Sequence, residues 1–105
     1  MSAIVTVYAT FADAAEAERI ARILVEERLA ACANILGPCT AIYHWQGAIE
    51  RAEEVAALFK TREDTAARMI DRLTELHSYD VPAAVVWPTA GSGERYRAWV
   101  LDSTG

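Results

Sequence analysis

The 105-residue sequence predicts one α+β domain, residues 1–105, whose elements follow the order β-α-β-β-α-β. Two amphipathic helical segments each lie between runs of strand-forming residues, and a short polar turn joins the two halves. The size agrees, because 105 residues with 53% apolar and 24% charged side chains suffice for a single hydrophobic core. We therefore expect one globular unit rather than a disordered chain.

The first strand and the first helix follow from local signals. Residues 3–9 form a β-branched run (AIVTVYA) that is typical of a buried strand. Asp13 provides a helix N-cap and Glu16 an acidic first turn, and the helix is expected to end near Leu29. Apolar side chains at helical spacing predict that one face packs on a sheet: Ala17, Ile20, Ala21, Leu24 and Val25.

The middle of the chain predicts an antiparallel pair of strands. Residues 30–36 begin a strand that a bend at residues 37–38 interrupts, because the proline there removes a ladder donor. The strand resumes over residues 39–46, and a polar turn follows from residue 47 to 51 or 52. Residues 54–60 then return antiparallel, since so short a connection cannot cross over to a parallel strand.

A second helix is predicted to start at Thr61, with Glu63 and Asp64 in its first turn, and to end near His77. Its apolar positions are spaced for one face: Ala66, Met69, Ile70, Leu73 and Leu76. This segment completes the helical part of the second half.

The remaining segments predict a fourth strand and a short terminal helix. The strand covers residues 81–87, with Pro82 at its beginning, where a missing donor matters least. A flexible break at residues 91–93 precedes a helix over residues 94–101. One side of this helix is apolar and carries Tyr96, Trp99 and Val100.

This element order is the split β-α-β, or ferredoxin-like, arrangement. It predicts a four-stranded antiparallel sheet with both long helices on one face. The other face would expose tyrosine, tryptophan and leucine side chains, and an apolar patch of that kind usually marks a partner surface. Self-association is the simplest way to cover it.

Composition excludes several partners and compartments. Ten basic residues stand against fifteen acidic ones, a net charge of −5, and no basic run offsets the acidity, so nucleic acid is not an expected partner. No apolar run approaches the roughly 20 residues that span a bilayer. The first basic residue is Arg19, too late for a secretory signal, and two cysteines form no disulfide framework. The sequence therefore indicates the cytoplasm.

The two cysteines, Cys32 and Cys39, do not form a C-x-x-C motif. An uninterrupted strand would separate them by roughly 23 Å, and the odd spacing would point them to opposite faces unless the bend at residues 37–38 changes the count. A metal site shared within one chain is therefore not expected. For Cys32, which alanines flank, a small buried core residue is the competing interpretation.

The two histidines have simpler alternatives to catalysis. His44 shares a strand face with Ile42, opposite Tyr43 and Trp45, and is interpreted as a polar contact at a sheet surface or subunit seam. His77 lies where the second helix is predicted to end, where the helix dipole stabilises an imidazolium, so capping alone would explain it. No H-E-x-x-H pairing is present.

Lys60 is the only lysine, against nine arginines. At a strand-to-helix junction, beside the Thr61 hydroxyl and a helix N-terminus, its ammonium would form an anion site. The alternative is a solvated strand end with no ligand. Both interpretations stay open.

Known enzyme motifs are absent from the sequence. It contains no G-x-S-x-G, no G-x-x-x-x-G-K-[ST] and no G-x-G-x-x-G. Glu53 and Glu54 are adjacent on a predicted strand and so face opposite sides, which rules them out as an acid/base pair. We therefore do not expect an enzyme.

Several segments, taken in order, resemble the CutA divalent-cation-tolerance family over essentially the whole chain. They are Leu29–Ile35, Tyr43–Gly47, Glu54, Lys60-Thr61, His77–Pro82, and Tyr96 with Trp99. The resemblance implies a ferredoxin-like fold assembled as a homotrimer, in which long central hairpins extend each sheet into the next subunit. It also implies bacterial cytoplasmic residence and a link to copper and other divalent cations.

Within that resemblance the recurring polar residues would lie near the subunit interface. The candidates for an interface pocket are Trp45, Glu54, Lys60, Thr61 and Tyr79, and the candidates for metal ligation are Cys32 and His77. The chain departs from the family pattern His-Pro-Tyr-Glu-Val-Pro at Ser78 and Asp80, and Ala83 replaces the acidic residue that usually follows. The loss of that carboxylate weakens the expectation of a strong metal site there.

Three functions are compatible with these residues. The leading prediction is a homotrimer of divalent-metal tolerance that binds copper or a similar ion weakly through Cys32 or His77. An alternative is a signalling trimer resembling the nitrogen-regulatory proteins, with Lys60, Thr61 and His77 holding a small anion. A third is an enzyme with Cys32 as nucleophile and His77 as base. A purely structural trimer competes with all three.

Overall fold

The structure, a computed structural model, describes residues 3–105, so the first two residues of the predicted 1–105 domain lie outside the described range. Its elements alternate as predicted, in an α+β arrangement. They are β1 (Ile4–Phe11), α1 (Ala14–Glu26), β2 (Cys32–Trp45), β3 (Ala48–Arg62), α2 (Ala66–Leu76), β4 (Ala84–Pro88) and α3 (Glu94–Ser103). The strands form one antiparallel sheet in the order β2-β3-β1-β4.

The two longer helices, α1 and α2, cover one face of this sheet, as predicted. Alternate side chains of β1 and β3 meet the apolar stripes of both helices there and exclude water. The largest fully buried members of this core are Phe11, Phe59, Ile20, Leu24, Met69, Leu73 and Val7. We call the opposite side of the sheet the open face.

Helix α3 packs on the open face at one end of the sheet. Val100 is fully buried there, in a small cluster with Ile4 and Ala31. Arg62 fixes the end of the helix, because its guanidinium donates to the Leu101 carbonyl oxygen and to the Thr104 hydroxyl. The predicted terminal helix is therefore present, and it leaves most of the open face uncovered.

Strand β2 is continuous, so the predicted interruption at residues 37–38 is wrong. The sequence signal corresponds instead to a bulge, since the register with β3 shifts between Ile35 and Gly37, and Gly37 has a φ of 107°. Pro38 is tolerated because β2 is an edge strand.

The predicted turn over residues 47–52 is also too long. A two-residue turn, Gln46-Gly47, joins β2 to β3, with φ angles of 50° and 82°. Positive φ at both positions fits the right-handed twist of a hairpin. Glu50 and Arg51 lie instead in an exposed stretch of β3, where polar strand residues resemble turn residues in sequence.

The β2-β3 hairpin extends beyond the rest of the sheet. Pairing between β1 and β3 stops at Phe11 and Val55, whereas residues 39–45 pair with residues 48–54 alone. This part, which we call the hairpin arm, is about 20 Å long at the usual rise per residue. A two-stranded ribbon is marginally stable by itself in water, so the arm needs further contacts.

Strand β3 runs through Thr61, so the prediction that α2 starts there is wrong. A 3-10 turn over Glu63–Thr65 comes first, and α2 begins at Ala66. The Thr61 side chain is fully buried and donates to the Leu29 carbonyl oxygen at 2.7 Å. This tertiary hydrogen bond keeps Thr61 in the strand, which local sequence does not reveal.

The remaining boundary differences are small. Helix α1 ends at Glu26 rather than near Leu29, since the amides of Leu29 and Ala30 bond back to the Leu24 carbonyl oxygen. Strand β4 starts at Ala84, and the preceding residues 81–83 belong to a loop. Within residues 3–105, none of the helices combines the length and apolarity that a membrane crossing requires.

Candidate functional site

A cavity of about 480 Å³ lies on the open face, at the base of the hairpin arm. Three sheet strands and the loop between α2 and β4 build it. Its lining residues are Tyr8, Thr10, Ala41, Tyr43, Trp45, Glu54, Tyr79, Asp80, Val81 and Ala83. The strand members share one face because side chains two residues apart point to the same side. The cavity therefore brings together three of the residues proposed from sequence, Trp45, Glu54 and Tyr79.

Glu54 is the buried carboxylate of this cavity, with 9% of its surface exposed. Tyr79 lines the same cavity and interacts electrostatically with this carboxylate. Burial, and secondarily the interaction with Glu54, holds the pKa of Tyr79 well above its usual value. Tyr79 thus stays protonated at neutral pH and acts as a hydrogen-bond donor.

His77 fixes the position of the Tyr79 loop. Its Nδ1 accepts from the Tyr79 backbone amide at 3.0 Å, so its Nε2 carries the proton and donates to the Thr10 carbonyl oxygen at 2.8 Å. The imidazole is buried and stacks on Phe11, with ring centres 5.1 Å apart. Both ring nitrogens are therefore occupied by backbone groups, which favours a positioning role over metal ligation.

Glu16 anchors the same loop from α1. One carboxylate oxygen accepts from the Ser78 amide at 2.9 Å and the other from the Ala12 amide at 3.0 Å. Asp13 caps the helix through the Glu16 amide at 2.8 Å, as predicted from sequence. Burial opposes ionisation of Glu16, but the hydrogen bonds from Ser78 and Ala12 outweigh it and lower its pKa below the ordinary 4.5.

This lowered pKa predicts a pH-dependent contribution to stability. A carboxyl whose pKa is depressed in the folded state stabilises the protein above its unfolded-state pKa, near 4.5, and the contribution is lost as the pH falls through the folded-state pKa. Glu16→Gln places an amide near two N–H donors, so we expect it to lower the free energy of unfolding at neutral pH by about 1–3 kcal/mol.

Urea unfolding of wild type and Glu16→Gln, at fixed protein concentration, tests this expectation. The difference between the two proteins should shrink as the pH falls from about 7 to about 3. Glu18→Gln is the matched control, because Glu18 lies exposed on the same helix and should change little. A constant difference at all pH values, or none at neutral pH, would contradict the assignment.

The other end of the open face carries Cys32, Lys60 and Tyr96. The Cys32 sulfur lies 3.5 Å from the Tyr96 hydroxyl oxygen, and Lys60 donates to the Asn34 side-chain oxygen at 3.0 Å. Burial, and secondarily the contact with Cys32, raises the pKa of Tyr96 to about 12. Cys32 is partly exposed, so its alternative interpretation as a core residue is wrong.

The two cysteines lie on the same face of β2, contrary to the simple odd-spacing count. The bulge before Gly37 inserts one residue and restores the face, so that Cys32 pairs with Lys60 and Cys39 with Glu54. Six positions along β3 still separate them, about 20 Å. Across residues 3–105, no three His, Cys, Asp or Glu side chains come together in a way that could hold a metal ion.

Residues predicted to form an anion site do not meet within one chain. Lys60 points to the open face, whereas Thr61 points to the helical face and is fully buried. His77 contacts Thr10, four residues along β1 from the partner of Lys60, about 13 Å away. The same separation keeps His77 from acting as a base on Cys32 within the chain.

Part of the cavity wall was not predicted from the sequence. Tyr8 and Thr10 on β1 and Tyr43 on β2 share the open face through period-two alternation, but none of the three was among the predicted site residues. What the pattern lacked was the position of the loop that follows α2. His44 pairs with Ile49 on the other face of the hairpin arm, as predicted, away from the cavity.

Comparison with known proteins agrees with this architecture. The family model described as CutA1 divalent ion tolerance protein matches residues 5–103. The divalent-cation tolerance protein CutA of Pyrococcus horikoshii is 43% identical over 100 residues, which span 95% of this chain and 97% of the relative.

Solved structures show the same fold. CutA1 of Ehrlichia chaffeensis superposes with a TM-score of 0.93 at 32% identity, covering 100% of this chain and 98% of that one. The Archaeoglobus fulgidus protein, described as the periplasmic divalent cation tolerance protein CutA, gives a TM-score of 0.92 at 35% identity over 95% and 97% of the two chains. From the family match, the identity and the shared fold, this chain belongs to the CutA1 divalent ion tolerance family.

Proposed function

We propose that this protein is a cytoplasmic homotrimer of divalent-metal tolerance, that it binds copper or a similar ion weakly through Cys32 near a subunit interface, and that its role is binding rather than catalysis. The observation that carries the proposal is the position of Cys32. Its thiol is partly exposed on the open face, beside apolar surface that a second chain would cover. Family membership supports the link to divalent ions.

Exposed apolar side chains support self-association. They lie on the hairpin arm, on β4 and on α3, and include Ile42, Tyr43, Trp45, Ile49, Val85, Trp87, Tyr96 and Trp99. They lie on both faces of the hairpin arm and on the open face, and exposed apolar surface of this extent usually marks an interface between proteins. The arm also needs contacts that its own chain does not supply. Neighbouring copies of the chain in a closed symmetric oligomer would cover the apolar side chains and would supply the contacts that the arm needs.

The chemistry of Cys32 favours copper, held in its monovalent state, over harder divalent ions. Thiolates are soft ligands that select Cu(I), and the reduced cytoplasm maintains both the thiol and that oxidation state. One thiol with a neighbouring Tyr96 hydroxyl is an incomplete ligand set. Thiols from two or three copies that meet near this end of the sheet would complete the ligand set. We therefore propose that the ion binds at an interface, and only weakly to a single chain.

A copper titration tests the metal role. Anaerobic Cu(I) titration against a chromophoric competitor should show Cys32→Ser binding at least about tenfold more weakly than wild type, a difference near 1.4 kcal/mol. Cys39→Ser is the matched control, because Cys39 is the other thiol on the same face of the same strand and should bind like wild type. Equal stoichiometry and affinity for Cys32→Ser and wild type would overturn the proposal.

The compartment needs its own test, since the Archaeoglobus fulgidus relative is described as periplasmic. Fractionation of cells that produce the untagged protein should recover it with a cytoplasmic marker. Recovery in an osmotic-shock fraction would contradict this assignment.

A further inference from the structure

We propose that the open-face cavity binds a small organic cation, an alkylammonium with a short apolar stem. This ligand class goes beyond metal tolerance and concerns a different end of the sheet from Cys32. The combination that points to it is a buried carboxylate, Glu54, at the base of a cavity with four aromatic walls: Tyr8, Tyr43, Trp45 and Tyr79.

The aromatic walls and the carboxylate attract the same kind of charge. Ring faces carry negative electrostatic potential, so a cation within about 6 Å of a ring centre is attracted, more strongly when water is displaced. Glu54 adds a buried carboxylate to the cavity, beside the Tyr79 side chain. Asp80 contributes a second carboxylate at the exposed rim.

Inorganic ions fit this cavity poorly. A divalent metal ion needs several oxygen, nitrogen or sulfur ligands, and in residues 3–105 no cluster of such side chains occurs here. Aromatic carbon cannot replace the water that the ion would lose. An anion would face two carboxylates, and neither lysine nor arginine is among the described lining residues.

The dimensions suit a small molecule. About 480 Å³ lies within the roughly 300–1,000 Å³ typical of ligand sites, which are mostly apolar with a few fixed polar groups. The polar groups are held in place, because His77 and Glu16 fix the loop that carries Tyr79. The described residues contain no ion pair that includes Glu54, so its carboxyl group is available to a ligand.

Isothermal titration of the assembled wild-type protein with choline and n-butylammonium tests the proposal. Each has a neutral isostere of nearly the same shape, 3,3-dimethylbutan-1-ol and butan-1-ol. We expect at least one cation to bind at least about tenfold more tightly than its isostere, since only the cation gains from the carboxylate and the ring faces.

Two single-site variants locate the binding. Glu54→Gln, which keeps the shape and removes the charge, should weaken the cation at least about tenfold and leave the isostere unchanged. Glu53→Gln is the matched control, since its side chain lies next in sequence, exposed and on the opposite face of β3. Circular dichroism and light scattering of each variant establish that fold and assembly are retained.

Three outcomes would overturn the proposal: cation and isostere binding equally, Glu54→Gln binding the cation like wild type, or no heat from any cation up to saturating concentrations. The last outcome would mean that a side chain of a second copy already fills the cavity. Copper titration of the same preparation keeps the two proposals separate. If copper does not bind through Cys32, binding of the organic cation at Glu54 can still be measured. If the organic cation does not bind, copper binding at Cys32 can still be measured.

Discussion

Replacing Ile42 and Ile49 together with aspartate is expected to convert the assembled protein into single chains. Both side chains lie on one face of the hairpin arm and are about two-thirds exposed in a single chain, 71% and 66%. In an assembly, aspartate at these positions would place unpaired charges in an apolar interface, at a cost of several kcal/mol per site. Light scattering at fixed concentration should show the mass fall from that of the proposed trimer to that of a single chain.

The matched control adds the same two charges elsewhere. Ala67→Asp with Thr74→Asp places them on the exposed side of α2, away from the open face, and should leave the mass unchanged. Neither pair lies in the main core, so the folded chain should keep its circular dichroism spectrum. A hairpin-arm variant that retains the wild-type mass would show that the arm does not mediate assembly.

His77→Ala is expected to lower the free energy of unfolding by about 2–4 kcal/mol. The change leaves the Thr10 carbonyl oxygen and the Tyr79 amide without their partner, and it removes a ring stacked on Phe11. The Tyr79 loop should then loosen over the cavity. Urea unfolding at one protein concentration measures the first effect, because assembly makes stability depend on concentration.

The control for His77 is the other histidine. His44→Ala removes an exposed imidazole on the hairpin arm. If the variant keeps the wild-type assembled mass, its free energy of unfolding should fall by less than about 0.5 kcal/mol. A loss below about 0.5 kcal/mol for His77→Ala would contradict the positioning role. In that case, the two hydrogen bonds would have no net effect on the folded state.

The strand and helix order was predictable because the periodic signals are strong. The run before Asp13 and the two amphipathic stripes identify their elements from neighbours within a few residues. The predicted ends of helices and strands were wrong where contacts between residues distant in sequence determine them. Thr61 resembles a helix cap in sequence, but its hydrogen bond to Leu29 holds it in β3, and that partner lies 32 residues away.

The hairpin shows a second kind of limit. Exposed polar strand residues such as Glu50 and Arg51 have turn-like composition, so local sequence overestimated the turn at Gly47. The bulge in β2 is a separate case, because it changes the face to which the following side chains point. One inserted residue before Gly37 moved Cys39 to the face of Cys32, which spacing alone places on the other face.

The candidate site was only partly predictable for the same reason. Period-two alternation places Tyr43, Trp45 and Glu54 on one face of a hairpin. Tyr79 joins the cavity through a loop whose path is set by two side chains. His77 lies at the end of α2, and Glu16 lies in the first turn of α1. Loop paths follow from tertiary hydrogen bonds, so sequence pattern does not determine them.

Hydrogen exchange of the hairpin-arm amides in the wild-type protein tests most directly whether the arm is the assembly device. Residues 39–45 and 48–54 pair only with each other, so their protection depends on what covers them. If neighbouring chains bury the arm, these amides should exchange as slowly as those of β1 at assembly concentrations. Exchange close to the rate of an unstructured peptide, with β1 protected, would contradict the account.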